Sequence, residues 1–324
     1  MIYATIMICS FFLFLAIGIP VVLSLLAASI TYLVFNQDLS ILLIAVKLFR
    51  STDAFVFLSV PLFILAGKLM NLTGTTDSLV NFADMLVGRM RGGLAHVNIV
   101  VSMFFGGCTG AAISDTSAVG SVLIPSMVKK GYPKGFSAAV TAASSTMGPI
   151  IPPSLAFILY GAVSNVSIGD LFLAGIIPGL LVGIFQMMVV AYCAKKHRFP
   201  KSDKKFSVQA FMSSLKEVSW ALMLPVIIVG GIATGFCTPT EAAAIAVFYS
   251  LFVGIAINRN LTWKRLLDAM QESAVESGAI MVIVAAAALF GWVLAMEQIP
   301  MKLAESILEL TSSPWQILIL INIC

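Results

Sequence analysis

The sequence predicts an all-α polytopic membrane protein with inverted repeats, a re-entrant hairpin and proline-broken helices. Three observations carry this. First, 60% of the 324 residues are apolar and only 10% are charged, and the mean hydropathy is +1.03. Soluble domains carry about a quarter charged residues, and a soluble fold could not cover so much apolar surface. A soluble enzyme and a disordered chain are excluded. Second, the apolar residues fall in long runs separated by short polar segments, the pattern of bilayer-spanning helices. A transmembrane barrel would need alternating strands of about ten residues. Third, Gly and Pro interrupt several runs near their middle, and irregular backbone at membrane depth is tolerated only inside protein or along a cavity.

The elements follow in order. Residues 2–35 as one helix would be about 50 Å long, against a hydrocarbon core of about 30 Å. Gly18-Ile19-Pro20 stands in the middle, so one bent helix and two short helices are both open. Residues 39–51 are amphipathic, with Lys47 and Arg50 on the polar side, and read as an interfacial arm. Residues 54–70 form a span containing Pro61, with Lys68 read as a snorkelling end. Residues 94–107 and 119–128 are both short for a crossing. Arg89 and Arg91 precede the first, and Lys129, Lys130 and Lys134 follow the second. Positive flanks at both ends predict a hairpin that enters and leaves on one side, with its tip at 108–117.

Residues 136–164 are long enough to cross, but GPIIPPS at 148–154 interrupts them. Residues 171–194 are a plain span. The loop 195–216 carries seven of the nineteen Lys and Arg residues and is expected in the cytoplasm. Spans at 218–236 and 242–257 are joined by CTPTE. Residues 258–277 form a second basic arm, 278–296 a span, 298–313 an interfacial segment, and 315–324 the beginning of another span. Counting turns puts the hairpin mouth and second arm on the cytoplasmic side and the first arm outside. The order arm, span, connector, apolar run occurs at 39–107 and again at 261–324, with the arms on opposite faces, as in an inverted-topology repeat. The second copy stops before a matching hairpin, so part of a natural C-terminus is expected to be missing.

The residues that could carry chemistry cluster at the breaks. The tip, GGCTGAAISDTSAVGS at 106–121, is rich in small residues and hydroxyls and holds one carboxylate, Asp115. Small residues alone would serve helix packing, but a carboxylate in an apolar region is costly unless paired or functional. In SSTMGPIIPPS, 144–154, three prolines remove amide donors and release carbonyls. These could face the tip and complete a cation site. In GFCTPTEAAA, 235–244, Thr238 or Thr240 precedes a helix with Glu241 in its first turn, which capping alone could explain.

Enzyme signatures such as HExxH, GxSxG and Walker A are absent, and the chain is read as a non-enzyme. His96 and His197 lie far apart and read as interfacial. Cys9, Cys108, Cys193, Cys237 and Cys324 show no CxxC spacing and read as small buried side chains. The net charge of +4 is assigned to cytoplasmic loops, with no nucleic-acid partner.

FFGGCTGAAISDTSAVGSVLIPSMVKKGY, SSTMGPIIPPSLAFILYG and LFLAGIIPG together resemble the large membrane subunit, the DctM-like permease, of tripartite ATP-independent periplasmic (TRAP) transporters. GFCTPTEAAAIAVFYSL is similar to that family's second-half signature. The resemblance implies a multi-pass protein of the bacterial inner membrane that imports organic acids such as C4-dicarboxylates and sialic acids. It further implies a sodium gradient as the drive, no other cofactor, a small membrane subunit and a periplasmic solute-binding protein as partners, and an elevator mechanism.

By the same resemblance, cations would be held by Gly110, Ser114, Asp115, Thr116 and Ser117, with Ser145, Gly148 and Pro149 opposite. Substrate would meet Thr109, Ser144, Pro152 and Pro153, and Thr238, Thr240 and Glu241 would belong to the second-half motif. The implied segments are 1–93, scaffold spans and arm; 94–170, hairpin and broken helix of the transport domain; 171–260, central spans with the loop 195–216; and 261–324, the start of the second repeat. Family members carry a second hairpin near the C-terminus, and this sequence ends before it, so half of the site would be absent. The competing readings are an elevator carrier that needs no binding protein and a non-transporting membrane fragment.

Overall fold

The computed structural model describes residues 2–36, 42–199, 207–311 and 313–323, and every regular element among them is helical. The expected arm start at 39–41, the middle of the basic loop at 200–206, and Ser312 and Cys324 lie outside the described residues. Packing divides the chain into two units, residues 1–54 with 278–324 and residues 55–277. Among the described residues, five helical stretches are long and apolar enough to cross a membrane: Phe55–Leu72, Ile168–Lys196, Phe211–Ala233, Pro239–Ile257 and Trp263–Met296.

In the first unit, residues 2–35 form two helices, α1 (Ile2–Ala16) and α2 (Val21–Phe35). Gly18 turns the chain at φ +90° and Pro20 opens the second helix, which settles the alternative left open above. The two pack around Met7, Ala28, Tyr32 and Leu33, with Val293 closing the cluster. The Tyr32 hydroxyl donates to Glu297 Oε1 at 2.9 Å. The first arm is α3 (Leu42–Thr52), and Lys47 Nζ lies 4.8 Å from the centre of the Trp292 ring.

In the second unit a short 3₁₀ turn, Phe55–Leu58, leads into α4 (Ser59–Leu72), followed by α5 (Thr75–Val87). The hairpin is α6 (Gly93–Thr109) and α7 (Ala112–Lys129). The broken span is α8 (Lys134–Ser145) and α9 (Leu155–Ser164). Then come α10 (Ile168–Lys196), α11 (Val208–Ala233), α12 (Pro239–Phe252) with a π-helical end at Val253–Ile257, and the start of α13 (Trp263–Met296). The chain ends with α14 (Ile299–Leu310) and α15 (Pro314–Ile323), both in the first unit.

Chain direction can be read from hydrogen bonds between elements. Thr240 Oγ1 donates to Phe55 O, Ser250 Oγ to Ala66 O and Asn258 Nδ2 to Thr73 O, at separations of 185, 184 and 185 residues. A constant offset means that α4 and α12 run parallel, as the count of turns requires. Asn98 bonds Thr141 and Ser102 bonds Ser144, at offsets of 43 and 42, so α6 and α8 are parallel too. The chain therefore enters at Gly93, returns along α7, and enters again at Lys134 from the same end.

Three boundaries differ from expectation. The hairpin tip is tighter: only Gly110 and Ala111 separate α6 from α7, because nothing in ISDTSAVGS prevents helix. The expected arm 258–277 and span 278–296 are one 34-residue helix, since Gly278 costs only about 1 kcal/mol in a helix interior and does not break it. Lys216, expected in the basic loop, stands within α11. Lys68, read as a snorkelling end, is instead bound. Its Nζ lies 3.2 Å from Glu272 Oε2, and 2.9 Å from Glu276 Oε2 at an angle off the hydrogen-bond line. His96, read as interfacial, is fully buried, and neither ring nitrogen has a hydrogen-bond partner.

Candidate functional site

The hairpin tip is seated in the proline break. Residues 146–154 are non-helical, as three prolines without amide hydrogens dictate. Tip and break touch through glycine. A Cβ on Gly106 would fall 2.8 Å from Gly148 Cα, and one on Gly110 2.7 Å from Pro153 O. A Cβ on Gly148 would lie 3.4 Å from the Ala111 carbonyl carbon. Backbone meets backbone here, an approach that only residues lacking a side chain allow.

Four helix ends converge on this junction. The C-terminal ends of α6 and α8 bring carbonyl oxygens, and the N-terminal ends of α7 and α9 bring amides. The first pair favours a cation and the second an anion. Ser154 organises the break: its hydroxyl donates to Pro149 O and accepts the amide of Phe157, capping α9.

Asp115 is the centre of the site. It lies in the first turn of α7, is fully buried, and neither carboxylate oxygen has a hydrogen-bond partner among the described residues. The Ser102 and Ser145 hydroxyls are its polar neighbours, yet neither meets hydrogen-bond geometry with it. Ser145 Oγ donates instead to Thr141 O at 2.8 Å, and Ser102 Oγ pairs with Ser144 Oγ at 2.9 Å. A buried carboxylate with only neutral hydroxyls beside it lacks a counter-charge, and a buried charge without one is costly.

The structure brings Gly110, Asp115, Ser145 and Gly148 together as buried residues, with Thr109, Ser144, Pro152 and Pro153 buried around them and Pro149 and Ser114 partly covered. It does not bring in Thr116 or Ser117. Both are exposed, and Thr116 Oγ1 bonds back to Ala112 O. On a regular helix, successive residues point about 100° apart, so one inward carboxylate excludes its next two neighbours. Ser144 is held in a buried network, donating towards Asn98 Oδ1 at 3.2 Å, while Asn98 Nδ2 donates to Thr141 Oγ1 at 2.6 Å.

Sequence reasoning passed over Asn98, Ser102, Thr141 and Ser154. The available signal was the four-residue spacing of Asn98 and Ser102 along one face of an apolar helix. Thr238, Thr240 and Glu241 serve the entry to α12. Thr238 Oγ1 accepts the Glu241 amide at 3.3 Å, and Glu241 Oε2 accepts the Thr238 amide at 2.8 Å, a complete capping box.

Residues 8–324 match the family model described as tripartite ATP-independent periplasmic transporter, DctM component. The chain is 40% identical over 306 residues to the sialic acid TRAP transporter large permease protein SiaM of Vibrio cholerae, covering 94% of this chain and 71% of that one. It is 38% identical over 298 residues to the C4-dicarboxylate TRAP transporter large permease protein DctM of Pseudomonas aeruginosa, covering 92% and 69%. It is 39% identical over 313 residues to the isethionate TRAP transporter permease protein DctMQ of Oleidesulfovibrio alaskensis, covering 97% of this chain and 49% of that relative, about half its length.

Proposed function

Because the chain belongs to the DctM-component family of tripartite ATP-independent periplasmic transporters, we propose that it acts as the large permease subunit of a sodium-coupled secondary transporter that imports an organic acid. In this reading a periplasmic binding protein delivers the substrate, a small membrane subunit completes the assembly in the inner membrane, and the hairpin moves with its broken helix as one elevator body. The names of the three relatives support an organic anion, since sialic acid, C4-dicarboxylates and isethionate all carry negative charge near neutral pH.

The observation that carries the proposal is the buried carboxylate of Asp115, without a counter-charge among the described residues and beside the Ser102 and Ser145 hydroxyls. Hard oxygen donors suit a hard cation. A cation seated there supplies the missing counter-charge, and the amide ends of α7 and α9 beside it suit the substrate carboxylate. Coupling follows from charge: each ligand lowers the cost of burying the other.

The test is uptake of labelled organic acids by cells or proteoliposomes holding this chain with the small subunit and binding protein. Uptake should require an inward sodium gradient, and Asp115→Asn should weaken the sodium dependence by at least tenfold while leaving membrane insertion intact. Uptake that runs equally well on a proton gradient without sodium, or sodium dependence unchanged in Asp115→Asn, would remove the basis of the reading.

A further inference from the structure

An apolar groove of about 440 Å³ lies between α6, α8 and α10, lined by Ile99, Phe136, Val140, Val182, Phe185 and Val189. Its one polar lining residue, Gln186, has its amide tied to Ala143 O at 2.8 Å. That bond fixes the direction of the helices. Ala143 near the end of α8 meets Gln186 in the middle of α10, while the rings of Phe136 and Phe199 meet at 4.8 Å at the other end. The two helices are antiparallel, so Lys134 at the start of α8 and Lys195 and Lys196 at the end of α10 gather at the same end of the groove. Arg198 follows after His197, Lys129 ends α7 and Lys130 caps it, and α7 packs beside α8. All six cations are exposed, and none has a carboxylate partner among the described residues.

We infer that the groove and its basic rim form one binding site for an anionic phospholipid, with the phosphate on Lys134, Lys195 and Lys196 and part of an acyl chain in the groove. Basic pockets between helices at the membrane surface take anionic headgroups. The stretch from Phe136 to Ala143 rises about 10 Å, roughly a third of the hydrocarbon core, which suits the headgroup-proximal part of one chain. Orientation in the membrane alone would account for the cations but would need no groove beneath them. Since α6 is half of the hairpin and α8 half of the broken span, a lipid held there braces the pair against each other from outside the candidate site.

The protein in dodecyl maltoside micelles, doped with dioleoyl-phosphatidylglycerol or dioleoyl-phosphatidylcholine, tests this through thermal unfolding. Phosphatidylglycerol should raise the unfolding temperature in a saturable way and phosphatidylcholine should not. Replacing Lys134, Lys195 and Lys196 by alanine should weaken the apparent phosphatidylglycerol affinity by about fivefold for each cation removed. Ala139→Trp, which fills the groove and leaves every cation in place, should weaken it by a similar total. Unfolding without added lipid shows whether each variant is folded, and either variant alone decides its half of the site. Equal stabilisation by both lipids, or full affinity in the alanine variant, overturns the proposal. Full affinity in Ala139→Trp reduces the rim to surface electrostatics and overturns it equally. Native mass spectrometry of the wild-type protein should show co-purified phosphatidylglycerol in preference to phosphatidylcholine.

Discussion

At the scale of single residues, the junction depends on a glycine that no other residue can replace. Gly110 combines a left-handed φ of +63° with a position where a Cβ would lie 2.7 Å from Pro153 O. Gly131 has φ +87° but open space around it. Both glycines escape the left-handed penalty of about 1–2 kcal/mol, and only Gly110 also escapes a backbone collision. Gly110→Ala should therefore lower the unfolding temperature in detergent clearly more than Gly131→Ala. Equal shifts would mean that the tip is not seated against the break. Asp115 stood out in the sequence because a lone carboxylate in an apolar run needs a reason. Thr116 and Ser117 could not be separated from it, because their orientation depends on where α7 begins, and small polar residues do not mark that point.

At the scale of elements, the ion pair of Lys68 ties α4 to the arm portion of α13. The Lys68 side chain is 22% exposed, Glu276 39% and Glu272 69%. Breaking a fully buried pair costs about 3–5 kcal/mol, and partial exposure reduces this to about 1–2 kcal/mol here. Glu276→Gln should be the more damaging of the two single changes, because Glu272 can hydrate when it loses its partner. Lys68→Met, which removes the charge that needs pairing, should be milder than Glu272→Gln and Glu276→Gln combined. Chemical denaturation of the four variants ranks them, and the reverse order would show the pair to be incidental. This pairing was not legible in the sequence, where Lys68 and Glu272 stand 204 residues apart. The breaks were legible, because proline and glycine act locally at Pro20, at 148–154 and at the entry to α12. The fusion of arm and span in α13 was not, since an amphipathic pattern giving way to an apolar one marks a change of surroundings rather than an end of helix.

At the scale of the molecule, the sequence predicts directions through charge and length, and the structure tests them through register. The parallel pairs α4–α12 and α6–α8 and the antiparallel pair α8–α10 fix how the chain alternates within residues 55–277. Hydrogen bonds relate the helices to one another, and charge relates them to the membrane. The Lys and Arg distribution supplies that step: Lys129, Lys130, Lys134, Lys195 and Lys196 collect at one end, which the positive-inside rule assigns to the cytoplasm. The turn between α9 and α10 and the turn before α12 must then lie on the other side. Cysteines introduced singly into a background in which the native cysteines are replaced can read this in intact cells. Lys130→Cys and Lys196→Cys should react with an impermeant maleimide only after the cells are permeabilised. Val166→Cys, 43% exposed in the wild type, and Phe236→Cys, 86% exposed, should react from outside. Reaction of Lys130→Cys and Lys196→Cys from opposite sides would contradict the antiparallel pairing of α8 and α10, which puts the start of α8 and the end of α10 at one end. If both instead react from outside together, that pairing stands but the whole unit is inverted, and the basic residues no longer report orientation in this chain.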